Sequence, residues 1–473
     1  MHLAVLIVYS VFIVALGLWI GRRVKTTDAF FVAGHKLGPM LVFATMFAAN
    51  VGAGSTIGAA GLGYTMGLSS YWWVGSAGIG TFALAFWVGP KIWRIAREHD
   101  LQTAGDFLEF RYSKEVRATI AILVWLGSLT ILAGQLIALA WVLDVVAGVP
   151  KVVGCLIGGV VITVYFAAGG LLSSAWVNLV QVVFKIVGSV AALAWALVAS
   201  GGWSAIVGAV PQGSPGMERY FDFWGGSSSW TMLALLVPAF IVSPGLLQKV
   251  YGARDERAVR IGVGWCALAL MLFAPIPPLL GMIARVLDPN LANAELALPV
   301  VLTTAVPVWL GSLGLAAIFS AQLSSADAVL FMLSTSLSKD LYKRFLRPDA
   351  DDRRVLKVTR IAAWVGGACG VALAVALPSV IASLSIFYSL LGVSLFVPVV
   401  AGLQLRRIGT PEALAAIGGG IAVLIAARFA PWRGWVGASG WVASVSPTTW
   451  GLLASAVAFC AVMVFRSARS RKA

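Results

Sequence analysis

Apolar runs of twenty residues or more recur along almost the whole chain, from HLAVLIVYSVFIVALGLWIG at the start to WGLLASAVAFCAVMVF near the end. A segment of that length and character satisfies its own amide groups as a helix, and about 20 residues of helix cross the hydrocarbon layer of a membrane. Thirteen such runs are legible, at approximately 2–21, 39–65, 70–96, 117–147, 152–169, 175–200, 229–251, 259–287, 299–338, 355–377, 379–404, 411–430 and 447–466. Barrel strands alternate in polarity over about 10 residues, and these runs do not. Charged residues make up 11% of the chain, against about 25% in a soluble protein. The expected fold class is an all-α membrane protein of about 13 transmembrane helices.

The basic residues decide the orientation. GRRVKTTDAFFVAGHK, KIWRIAREHDLQTAGDFLEFRYSKEVR, QKVYGARDERAVR, KDLYKRFLRPDADDRRVLK, LRRIG and the tail RSARSRKA fall on alternate connections, whereas the long opposite connection near 201–229 carries Arg219 alone. The positive-inside rule then places the N-terminus outside and the C-terminus in the cytoplasm, with a bacterial plasma membrane as the expected location. The net charge of +15 reads as this topology and not as nucleic-acid binding. Trp72, Trp73, Trp87, Trp93, Trp432 and Trp435 fall near span ends, as interfacial anchors do. No segment between spans is long enough to fold as a catalytic domain. The four cysteines form no CxxC pair and the three histidines are isolated, so neither a zinc site nor a disulfide framework is expected.

Two spans are interrupted. The second carries ANVGAG and the seventh carries VSPGL, each roughly a dozen residues after the span begins. Glycine and proline are common in membrane helices for packing reasons alone. A pair of interruptions at corresponding positions, however, marks the binding site of a transporter built from an inverted repeat. The expected organisation is an extra helix and loop at 1–38, a first five-helix unit at 39–200, a connection at 201–228, a second and inverted five-helix unit at 229–404, and two helices with a basic tail at 405–473.

The ninth span contains SAQLSSADAVLFMLSTSLSKDLYKR, in which Ala321, Ser324 and Ser325 share one helix face. Two hydroxyls and a carbonyl are hard oxygen donors suited to a small cation, provided that another element adds oxygens. The interruption at Ala48–Val51 qualifies, because carbonyls of an unwound helix lose their i+4 donors. Serines so placed also bond back to their own helix or pack against a neighbour, and the residues alone leave both readings open.

Taken together, FAANVGAGSTIGAAGLGYTMG, TAGDFLEFRY, YFAAGGLLSSAWVNLVQ, PGLLQKVYGARDERAVR and AQLSSADAVLFMLSTSLSKDLYKR resemble the sodium:solute symporter family over nearly the whole chain. The resemblance implies a LeuT-type inverted repeat and sodium-coupled uptake of a small organic solute by alternating access. It implies a sodium site made of the carbonyls of Ala48, Val51 and Ala321 and the hydroxyls of Ser324 and Ser325. Sodium is the co-transported ion, no organic cofactor is expected, and no ATP site is visible. One departure concerns a second cation: the family's Trp-Thr-Asp reads Trp176, Val177, Asn178 here, while Asp327 stands where relatives use serine. The expectation is that Asp327 supplies the missing carboxylate, facing Asn178, or else takes a proton, which makes a proton-coupled symporter the alternative. A passive channel is a weaker one, since paired helix breaks are not a continuous pore. A sensor is disfavoured because no output domain follows the last span.

The solute is expected between the two breaks, near Ser55, Thr56, Gln135, Phe240, Ser243 and Pro244. Ser55 and Leu236 replace the amide-bearing residues that the resemblance assigns to sugar transporters, so an amino acid, a small carboxylate or an amine is favoured over a sugar. No cation stands out at the midplane to pair with a carboxylate apart from Lys185, which the sequence suggests snorkels to the cytoplasm.

Overall fold

The computed structural model describes residues 1–21, 33–168, 171–210, 217–429 and 445–470. Residues 22–32, Gly169, Gly170, residues 211–216, and the expected anchors Trp432 and Trp435 lie outside the described residues. Among the described residues the regular structure is helical apart from one parallel bridge, Leu37 to Ala253. Ten of these helices are long and apolar enough to cross a membrane, and shorter apolar helices at His2–Ile13, Pro39–Asn50, Lys151–Val164 and Ala294–Thr304 accompany them.

In the first half, α1 (His2–Gly21) precedes α2 (Pro39–Asn50), α3 (Ala59–Met66), α4 (Tyr71–Ala83) and α5 (Gly89–His99). The short α6 (Ala104–Arg111) leads into α7 (Lys114–Ala147), α8 (Lys151–Ala168) and α9 (Leu171–Ala199). In the second half, α10 (Gly202–Gly208) precedes α11 (Ser227–Val242), α12 (Pro244–Tyr251), α13 (Glu256–Phe273), α14 (Ile276–Leu287) and α15 (Ala297–Thr304). The chain closes with α16 (Val308–Thr335), α17 (Asp352–Ala376), α18 (Val380–Gln404), α19 (Thr410–Phe429) and α20 (Pro447–Ser470).

One of the expected spans is divided, while the run 259–287 keeps helical backbone angles through Ala274 and Pro275, between α13 and α14. The run 299–338 turns before α16, where Pro307 is extended (φ −57°, ψ 146°). Proline has no N–H to continue a helix ladder, so an unbroken apolar run does not mean an unbroken helix.

Both interruptions read from the sequence are real helix ends. After Asn50 the backbone leaves the helix at Val51 (φ −92°, ψ 89°) and resumes as a wide turn over Gly54–Gly58. After Val242 it leaves at Ser243 (φ −54°, ψ 119°), and Pro244 opens α12, the first-turn position where its missing N–H costs nothing. Close approach explains the glycine of the first break. A Cβ on Gly52 would lie 2.3 Å from Ser325 Oγ and 2.9 Å from Gln135 Oε1.

The centre of the bundle is α16, buried at nearly every residue from Leu310 to Thr335. It packs against α2, α7, α9 and α17. Because α2 ends against α16, the freed groups of the first break open onto the most enclosed helix of the protein.

Candidate functional site

The unwound segment frees backbone groups that have to be satisfied in a waterless interior. Gln135 of α7 accepts from the N–H of Ala53 at 2.9 Å. Ser55 Oγ donates to the Asn50 carbonyl at 2.5 Å, and Thr56 Oγ1 donates to the Gly52 carbonyl at 2.8 Å. Gln322 Nε2 of α16 donates to Thr56 Oγ1 at 3.2 Å. The polar atoms expected from Ser55, Thr56 and Gln135 at the solute therefore hold the break in shape.

Of the five oxygens expected around a cation, the carbonyls of Ala48 and Val51 and the hydroxyl of Ser324 meet at one point, and the others lie beside them. Ser324 Oγ lies 3.0 Å from the Ala48 carbonyl and 3.2 Å from that of Ala321, while Ser325 Oγ lies 3.2 and 3.1 Å from the carbonyls of Ala48 and Ala49. A positive group already stands among them. Lys185 Nζ donates to Ala48 O at 2.9 Å, to Val51 O at 2.9 Å and to Ser324 Oγ at 2.7 Å. Lys185 does not snorkel. It is the middle residue of the 29-residue α9, about 21 Å from either end at 1.5 Å per residue, farther than a lysine stem extends.

One turn along α16 from Ser324 lies Asp327, also buried. Its carboxylate accepts a short hydrogen bond from Ser174 Oγ of α9. Asn178 Nδ2 donates to that same Ser174 oxygen at 3.3 Å and to Thr45 Oγ1 of α2 at 3.3 Å. Asp327 and Asn178 thus meet through Ser174 and not face to face. The buried Asn178 Oδ1 has no hydrogen-bond partner.

Between the two breaks lies a small, partly open cavity of about 50 Å³ bordered by Asn50, Ser243, Lys249 and Ser325 on its polar side. Phe240 and Tyr388 also border it, their ring centroids 5.3 Å apart. Phe240 and Ser243 are where the sequence places them. Pro244 borders a neighbouring cavity that reaches Thr103 and Asp340. Asn50, to which the sequence assigns no role, reaches the cavity from the end of α2. The sequence reading missed Lys249, which it places among the residues of a basic connection. Lys249 is buried, 3% exposed, at the end of α12. Its Nζ donates to the Gly245 carbonyl at 2.8 Å, and among the described residues no carboxylate pairs with it.

Polar ties hold both ends of this region. At one, Arg117 of α7 bridges Asp106 (2.8 Å), Glu109 (2.9 Å) and Asp340 (2.7 Å), and Thr103 Oγ1 donates to Asp340 at 2.7 Å. Glu109, on α6, is held below the ordinary carboxylate range: burial opposes this, and Arg117 and Arg344 outweigh it. At the other end, Glu295 accepts from Trp141 Nε1 at 2.9 Å and from the N–H of Val380 at 2.7 Å. It thereby caps the start of α18, where helix N–H groups lack partners. Trp141 is spent on this tie, and Trp230 stacks on Trp224 at 65% exposure.

Comparison with known proteins gives the family and the fold. The profile of the sodium:solute symporter family matches residues 30–420. The sodium/glucose cotransporter of Vibrio parahaemolyticus is 28% identical over 404 residues, 76% of this chain and 72% of the relative. The sodium/pantothenate symporter of Escherichia coli is 28% identical over 439 residues, 87% of each chain. The human high affinity choline transporter 1 is 25% identical over 395 residues, 79% of this chain and 67% of the relative. A solved structure of a Na+-coupled sialic acid symporter, substrate-bound and outward-open, superposes with a TM-score of 0.81 at 19% identity, covering 97% of this chain and 96% of the other.

Proposed function

Because this chain belongs to the sodium:solute symporter family, we propose that it carries a small organic solute bearing a carboxylate through the cavity between its two helix breaks. The protein is a sodium-coupled solute symporter of that family and not an enzyme, and sodium is the ion its family co-transports. The observation that carries the choice of solute is Lys249: a buried ammonium that borders the cavity with N–H groups to spare. Aromatic faces at Phe240 and Tyr388 suit the solute's apolar part. A sugar would need more hydroxyl partners than Asn50, Ser243 and Ser325 provide.

Sodium, in this reading, travels beside Asp327, with Ser174 and the free oxygen of Asn178 as further donors. Each buried charge then has a counterpart: Asp327 has sodium, and Lys249 has the solute carboxylate. Alternating access follows from two inverted five-helix units, 39–200 and 229–404, rocking about the breaks. The thirteen-span topology puts the N-terminus outside and the Arg117 cluster on the cytoplasmic side of a bacterial plasma membrane.

A thermal-shift screen of small carboxylates and their amide analogues, with and without sodium, tests the assignment, since a ligand stabilises the state that binds it. Sodium-dependent stabilisation by a carboxylate and not by its amide is expected. Stabilisation by sugars or quaternary amines alone contradicts the assignment.

A further inference from the structure

Three oxygens of the cage between the first break and α16 are directed at a side chain of this same chain. Around Lys185 Nζ stand the carbonyls of Ala48 and Val51, which only accept, and the hydroxyl of Ser324. Ser324 directs its own proton at the carbonyl of Ala48 or Ala321, so toward Lys185 it also accepts. Three acceptors about one nitrogen match the three N–H bonds of an ammonium. A neutral amine has two, and would turn its lone pair against the third oxygen. Lys185 is 1% exposed, and among the described residues no carboxylate lies within ion-pairing distance of it. Its charge is held by carbonyl and hydroxyl oxygens alone, the way proteins replace the hydration shell of an alkali cation.

We propose that Lys185 is a resident cation that fills this cage permanently, so that the bridge from the broken helix to α16 forms without a sodium ion from solution. The inference rests on the cation-cage reading of Ala48–Val51 and Ala321–Ser325 given above. It separates two duties that one ion otherwise shares. Joining the two repeats belongs to a lysine of α9, and coupling belongs to the sodium carried beside Asp327. The site therefore takes one sodium fewer than a symporter that loads both places.

The test is the number of sodium ions bound by the purified full-length protein in lipid nanodiscs, measured with radioactive sodium at saturation. The variants are Lys185→Ala, which leaves the three oxygens that bind Lys185 around a void, and Lys185→Gln, which keeps most of the stem and adds an amide oxygen. Each is expected to bind one sodium per protomer more than the wild type. A count equal to or below the wild-type count in the monodisperse variants overturns the proposal. If neither variant is monodisperse, a cryo-electron-microscopy map of the wild type in sodium decides. Lys185 among the oxygens supports the proposal, and an ion there with Lys185 displaced refutes it. Solute accumulation by the wild type reads the proposed transport function independently. Its failure alongside a gained sodium leaves this inference standing, and its success without the gain removes this inference alone.

Discussion

Lys249→Met removes the one buried charge that borders the cavity and keeps the volume of its stem. Of the three N–H bonds of Lys249, one goes to Gly245 at 2.8 Å, which leaves two for a solute. A hydrogen bond to a charged group contributes about 1.5–3 kcal/mol, and about 1.4 kcal/mol is tenfold in affinity. The variant should bind the carboxylate about 10- to 150-fold more weakly. Isothermal titration with the carboxylate and with its amide analogue separates charge recognition from a deformed pocket. Carboxylate affinity within twofold of wild type, or an equal loss for acid and amide, would refute the reasoning.

Gly52→Ala should abolish uptake in reconstituted vesicles, because its methyl would meet Ser325 Oγ at 2.3 Å, and overpacking of this kind costs about 1–3 kcal/mol; wild-type uptake contradicts the account of the break. Gln135→Leu should lower stability by about 1–3 kcal/mol by orphaning the Ala53 N–H, read by thermal unfolding, and an unchanged midpoint contradicts the role given to Gln135. Asp327→Asn should weaken sodium activation of uptake at least about tenfold, one charged ligand's worth, and unchanged sodium affinity with unchanged uptake sinks its assignment. Arg117→Met removes the guanidinium that Asp106, Glu109 and Asp340 share, of which Glu109 keeps Arg344, and should lower stability by about 3–5 kcal/mol; an unaltered thermal midpoint shows that the cluster does not hold that end.

The helices were legible because a membrane span has to be apolar over its full length, and both breaks were legible because Gly52, Gly54 and Pro244 advertise them. The convergence of Ala48, Val51 and Ser324 was legible through family resemblance. What their oxygens surround was not. Lys185 was open to correct reading, since its place at the centre of a long apolar run is incompatible with snorkelling, but the direction of its stem depends on the packing of α9 against α16. Lys249 was hidden by neighbouring basic residues, which made it read as part of a solvated connection. The turn at Pro307 was missed because apolarity persists through it, whereas helicity does not. Ser55, Thr56 and Gln135 bond to the unwound segment itself: that segment demands partners of its own, a backbone cost that residue type does not reveal.

Coupled transport is tested most directly by solute accumulation in proteoliposomes with an imposed inward sodium gradient. The account predicts that a labelled small carboxylate rises inside above its external concentration, and that collapsing the sodium gradient abolishes the rise. Entry that stops at equal concentrations inside and outside, whatever the sodium gradient, contradicts it.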